Sequence, residues 1–203
     1  MVVGILADDI TFNSLSIIES DIIWKRFDSL ADLVASKTDL IINFMDDAAE
    51  GNYNQYSNAV FINSVFTTLE DSKHPKNVVR FNGWKSFYER TIWEIAGKFS
   101  NAHESFICSL NKTYHLHADE IGFPSANIIS MIINEAYFAF EENVSTKEEI
   151  DLAMKLGTNY PKGPFEWSSI IGLKNVFQLL NNLSSKDSKY TPASLLLKET
   201  EQL

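Results

Sequence analysis

The sequence predicts two units of different class: an α/β unit on a small parallel sheet over residues 1–118, then an all-helical unit over residues 119–203. Two observations carry this. Short apolar runs alternate with segments of helical spacing through the first half, and beyond Phe123 every apolar pattern has the period of a helix. The boundary is expected near Asp119 to Gly122, and a chain of this size buries roughly 70% of its unfolded surface, enough for a packed core.

Met1 to Ala7 is an apolar run ending at Asp8 and Asp9 and reads as the first strand. Thr11 to Glu19 follows with Leu15, Ile17 and Ile18 at helical spacing. Ile22 to Phe27 is a second apolar segment, Ser29 to Ser36 a second helix, and Leu40 to Phe44 a third strand. Val60 to Asn63 and Val78 to Phe81 complete the set. Strands alternating with helices imply parallel pairing, so the first half reads as a reduced Rossmann-like unit. From Trp84 to Ser109 the spacing is helical in part, with Gly97 as a break. Five helices are expected after Phe123: Pro124 to Glu142, Thr146 to Leu156, Pro164 to Ile171, Leu173 to Leu183 and Pro192 to Gln202. Ser145 with Glu148 reads as a capping box for the second of these, and Gly157 as its end. Pro161, Gly163 and Pro164 then forbid regular structure until the next helix starts.

The net charge of -10 and pI near 4.8 exclude a nucleic-acid or anionic-membrane partner, since both need a concentrated basic surface. A single cysteine, Cys108, rules out an internal disulfide, and within Phe106-Ile107-Cys108 it reads as an inert core thiol. No apolar run reaches membrane-spanning length, and Met1 to Leu6 lacks the length and basic flank of a signal peptide. The reading is a soluble cytoplasmic protein. His115 and His117 alternate along a strand and share a face, but no third ligand at metal-site spacing accompanies them, so no metal is expected. Trp84, Phe87, Tyr88 and Trp93 read as core or interface, with the wall of an acyl pocket as the functional alternative.

The most specific run is Glu148-Glu149-Ile150-Asp151-Leu152-Ala153-Met154-Lys155-Leu156-Gly157-Thr158-Asn159-Tyr160-Pro161-Lys162-Gly163-Pro164-Phe165-Glu166. It resembles the signature of the C-terminal domain of 3-hydroxyacyl-CoA dehydrogenases, where it joins two helices of an all-α dimerisation domain. Leu110 to Phe123 resembles the family's strand and interdomain link, followed by a helix carrying Asn134-Glu135-Ala136. The likeness covers about Leu110 to Leu196 well and the first half poorly. Read on its own residues, the run is packing and turn geometry, because no titratable cluster sits in it. The resemblance implies acyl-CoA or fatty-acid metabolism, and a homodimer joined through the helical domain.

A dinucleotide site needs a glycine turn between the first strand and helix, because the pyrophosphate must approach backbone N–H groups at a helix N-terminus. The chain has Gly4-Ile5-Leu6-Ala7-Asp8-Asp9 there. Gly4 counts as the first glycine of the turn, Leu6 falls where close approach requires another, and Asp8 and Asp9 place two negative charges where the phosphates would bind. Read alone, these aspartates cap the following helix. Asp28 stands at a distance compatible with the acidic residue that binds an adenosine ribose, and also where a helix cap would stand.

The family oxidises a 3-hydroxyl with a histidine base held by a glutamate. The strip from His74 to Trp84, leading on to Ile92-Trp93-Glu94-Ile95, resembles the stretch that carries this pair. Glu94 falls on the orienting glutamate and Asn82 on the histidine, and an amide takes up no proton near neutral pH. Ser64 is the counterpart of a substrate-facing serine, Ala126 falls on the family's active-site asparagine, and Asn127 takes the place of its arginine. These departures describe a degenerate member with hydride transfer lost or weak, binding no cofactor and retained for binding, with acyl-CoA as a ligand, or for a partner. Two alternatives stand beside it: an active NAD-dependent dehydrogenase whose base is His115 or His117, and a structural dimerisation module.

Overall fold

A computed structural model describes residues 1–18, 21–46 and 48–202. The chain divides into two units, Met1–Glu120 and Ile121–Leu203. The first holds a seven-stranded sheet in the order β2-β1-β3-β4-β5-β6-β7. Its strands are β1 (Val2–Leu6), β2 (Ile23–Arg26), β3 (Leu40–Asn43), β4 (Ala59–Asn63), β5 (Val78–Phe81), β6 (Ile92–Gly97) and β7 (Thr113–His117). The first five pair in parallel, β5 and β6 run antiparallel, and β6 and β7 are parallel again.

The stretch from Trp84 to Ser109 is helical in part, at Asn101–Ser109, while Ile92–Gly97 within it is a strand. Trp93 and Ile95 alternate into the core while Ile92 and Glu94 face away, a period of two that the neighbouring aromatics disguise in the sequence. The segment from Asn82 to Thr91 contains no helix, so nothing carries the chain back for a parallel return. β3, β4 and β5 are buried along their whole lengths, as strands covered on both faces must be. On one face Phe61, Phe81, Trp93 and Phe106 meet, with Phe81 and Trp93 stacked at 4.9 Å. On the other Leu33, Tyr53, Val60 and Ile62 pack together.

Among the described residues, four helices accompany the sheet: α1 (Asp9–Ser16), α2 (Leu30–Val34), α3 (Leu69–Ser72) and α4 (Asn101–Ser109). The expected end of the first helix, Glu19, lies outside the described residues. Cys108 is exposed on α4, against the expectation of a core thiol, because Phe106 and Ile107 turn the buried side of the helix away from it.

The second unit is helical throughout: α5 (Pro124–Glu141), α6 (Lys147–Thr158), α7 (Pro164–Ile171), α8 (Leu173–Ser184) and α9 (Ser194–Thr200). The capping box of α6 lies one residue beyond the expected pair. Thr146 takes the N–H of Glu149 at 3.2 Å, while the Glu149 carboxylate takes the N–H of Thr146 at 3.2 Å and the Ser145 hydroxyl. Gly157 does not end the helix. Asn159 does, in the left-handed conformation at φ 56° that asparagine tolerates. From α5 the buried Asn134 holds the chain ahead of α9, donating to Thr191 O at 2.9 Å and accepting Ala193 N–H at 2.8 Å.

Candidate active site

The chain order reverses at β1, with β2 on one side and β3 on the other, and the carboxyl ends of β1 and β3 are where an open α/β sheet offers a crevice. α1 begins there, and its Thr11 and Ile10 donors are already engaged. Asp8 is the N-cap and takes the N–H of Thr11 at 2.6 Å. Partial burial pushes the Asp8 carboxyl up, but the backbone and hydroxyl of Thr11, with Lys85 at 4.0 Å, outweigh it and hold the group below its ordinary value. Asp9 does not cap. It pairs with Arg26 at 2.5 Å, and Arg26 also donates to Ala7 O at 3.2 Å.

Gly4 lies inside β1, paired with Lys25 and Ile41, and not in the turn that follows the strand. A Cβ on it would stand 3.0 Å from Leu33 Cδ1, so its smallness serves packing against α2. β1 runs on to Leu6, which leaves Ala7 and Asp8 as the turn, with no glycine in it. Asp28 is exposed two residues past the end of β2, and the cap of α2 is Ser29, whose side chain takes Asp32 N–H at 3.1 Å.

Three asparagines mark the ends of neighbouring strands. Asn43 donates to Tyr53 OH at 2.9 Å and accepts Met45 N–H at 3.0 Å. Asn63 donates to Phe44 O at 3.2 Å and accepts Gly83 N–H at 3.1 Å. Asn82 donates through Nδ2 to Glu94 Oε2 at 3.1 Å, and the two backbones meet as Asn82 N–H to Glu94 O at 3.1 Å. The structure thus brings Asn82 and Glu94 together. Glu94 is also in register with His115, so the two side chains leave adjacent strands on the same face. Ser64, just past β4, donates inward to Thr67 O at 2.6 Å.

Sequence reasoning missed Arg80, fully buried on β5. Its Nε lies 2.5 Å from Asp119, Nη1 donates to Ser64 O at 3.1 Å, and Nη2 donates to Glu120 O. Burial lowers the guanidinium from its ordinary value, and the hydrogen bond and charge of Asp119 oppose the shift. Asp119 in turn caps α3 through Leu69 N–H at 2.9 Å. An arginine inside the apolar run Val78 to Phe81 was the available signal. In the helical unit, Ala126 is buried and carries no polar group, and Asn127 packs beside Gly122.

Residues 122–202 match the family model of the 3-hydroxyacyl-CoA dehydrogenase C-terminal domain. The match spans the helical unit, which is similar to that domain. Its sequence is 40% identical over 87 residues to 3-hydroxyadipyl-CoA dehydrogenase of Escherichia coli, covering 42% of this chain and 18% of that protein. It is 37% identical over 102 residues to 3-hydroxybutyryl-CoA dehydrogenase of Bradyrhizobium diazoefficiens, covering 49% and 35%. The chain therefore spans only a minor part of the length of the relatives it matches. The fold is similar to that of FadB2 of M. tuberculosis, at TM-score 0.79 and 16% identity over 98% of this chain and 93% of that one. It is also similar to (S)-3-hydroxybutyryl-CoA dehydrogenase PaaH1 of Ralstonia eutropha, at TM-score 0.70 and 19% identity over 97% and 92%.

The family implies NAD. The turn after β1 holds no glycine, and Asp8 already accepts Thr11 N–H, so the residues present do not fit the glycine turn that a dinucleotide needs. Among the described residues, no group of three or more histidine, cysteine, aspartate or glutamate side chains is placed to hold a metal ion, and no helix is long and apolar enough to cross a membrane.

Proposed function

We propose that this protein is a degenerate 3-hydroxyacyl-CoA dehydrogenase of acyl-CoA metabolism, with hydride transfer lost or very weak, kept as a homodimeric binding or partner protein that uses no nicotinamide cofactor. The observation that carries the reading is the Asn82 Nδ2 to Glu94 Oε2 hydrogen bond of 3.1 Å. Glu94 still has a partner to orient, but that partner is an amide, which accepts no proton from an alcohol. Losing a general base removes a factor of roughly 10²–10⁴ by itself. The crowded turn at Asp8 supports the same reading, and so does Ser64, whose hydroxyl is committed to Thr67 O at 2.6 Å.

Asn82→His tests it. With Glu94 intact, this variant is expected to give no appreciable oxidation of a 3-hydroxyacyl-CoA, because a base accelerates only reactants already held in reactive geometry. A robust rate of NADH formation would show that cofactor and substrate are still held in reactive geometry and would end the claim that the protein uses no nicotinamide cofactor.

One observation favours a second reading, an active enzyme with an atypical base. His115 is the register neighbour of Glu94 on β7, so an imidazole stands one strand away from the family's position. That reading requires an activity whose pH profile loses its acidic limb in His115→Gln.

A further inference from the structure

At the carboxyl edge of β1 and β3, the described residues of the chain take up positions that an open α/β sheet offers a ligand. Asp8 stands as the anion at the start of α1, 2.6 Å from Thr11 N. On the β2 side, Arg26 at the strand's end is held by Asp9 at 2.5 Å and Ala7 O at 3.2 Å. On the β3 side, Phe44 continues the strand with its N–H on Leu6 O at 2.9 Å, bridging the ends of β1 and β3. Its ring lies 5.2 Å from that of Tyr88, which is 1% exposed. The Tyr88 hydroxyl reaches back to α1, donating to Thr11 Oγ1 at 3.4 Å and accepting from Ser14 Oγ at 3.4 Å. Asn63 ties this cover down, with Phe44 O on its amide nitrogen at 3.2 Å and Gly83 N–H on its oxygen at 3.1 Å.

We infer that the crevice is self-occupied: Asp8 replaces a ligand's phosphate at α1, the Arg26–Asp9 pair closes the β2 side, and Phe44 with Tyr88 covers the strand ends. The α/β unit is then complete without a nucleotide. This deepens the proposed function, on which it rests for the kind of ligand excluded, and it adds a mechanism of exclusion that does not depend on Asn82. The segment from Gly83 to Tyr88 acts as a built-in plug in contact with the first helix. A helix whose N-terminal donors already hold a carboxylate has little to offer a second anion.

Two measurements on the intact wild-type protein test the inference: fluorescence titration with NADH, and thermal melting with NADH or inorganic pyrophosphate at millimolar concentration. No saturable fluorescence change and no rise in Tm are expected. Saturable NADH binding in the micromolar range, or a Tm that climbs with pyrophosphate, overturns the self-occupied crevice. NADH binding with no NADH consumed when a 3-ketoacyl-CoA is added overturns this inference and the claim that no nicotinamide cofactor is used, but leaves the loss of hydride transfer standing; binding with consumption overturns that loss as well. A third measurement tests the internal anion: Asp8→Ala is expected to lower Tm, and an unchanged Tm shows that the carboxylate does not hold α1.

Discussion

Gly163 lies so close to Asp151 that a Cβ built on it would stand 2.3 Å from the aspartate's own Cβ. The reason is that Asp151, on α6, caps α7, taking Phe165 N–H at 2.8 Å and Glu166 N–H at 3.1 Å. Glu166 closes the ring by accepting Gly163 N–H at 2.9 Å and Lys155 Nζ at 2.5 Å. The run from Asp151 to Glu166 is therefore one interlocked helix junction, and its residue types follow from capping and close approach.

Asp151→Ala should cost about 1–3 kcal/mol, the range for a buried charge-assisted cap. Gly163→Ala should cost at least as much, because the helix start must move away from α6. Urea unfolding of the two variants and the double variant checks both values. Effects that add fully in the double variant would show that the two residues act independently.

His103 makes stability depend on pH. It is buried on α4 between the rings of Phe61 and Phe99, and its Nδ1 accepts Ser100 N–H at 3.1 Å. Burial holds its pKa below the ordinary 6.5, against the opposing pull of the Val60 and Asn77 carbonyls. His74, half buried, is shifted the same way by burial. Below the unfolded value the unfolded chain binds protons that the folded one refuses, so stability falls as pH drops from 6.5 toward the folded pKa and then levels off. Urea unfolding from pH 7.5 down to 5.5 should show this loss, and His103→Gln should flatten it. An unchanged slope in the variant would assign the effect elsewhere.

Much of this was legible beforehand, for identifiable reasons. β1, β3, β4 and β5 are apolar runs because both faces are covered, and the helical unit announces itself through caps, prolines and period. Gly4 was misplaced because strand length is set by pairing: β1 continues to Leu6 opposite Asn43, which a single sequence does not reveal. The slip at α6 arose because Ser145 and Thr146 are both competent caps followed by glutamates, and only the backbone decides between them. Arg80 and Asp119, 39 residues apart, meet through the sheet, and no local pattern records such a pair.

α5 carries a second apolar stripe besides its buried side. Ile128 is 59% exposed, and Met131, Ile132 and Phe138, each only partly buried, follow at helical spacing. A surface helix needs one apolar face, so the second is expected to meet another copy of the chain. Sedimentation equilibrium of the full chain at micromolar concentration should give a dimer, and Ile132→Asp should shift it toward monomer with the fold intact by circular dichroism. A wild-type monomer would remove the homodimer from the account.

The central claim is that hydride transfer has been lost, and the direct measurement is a single-turnover reaction with the wild-type protein in excess over (S)-3-hydroxybutyryl-CoA, with NAD saturating for an ordinary dehydrogenase and absorbance followed at the NADH band. The account predicts no NADH above a protein-free control over minutes. Formation of NADH at a rate of order 1 s⁻¹, the lower end of ordinary enzyme turnover, would contradict it.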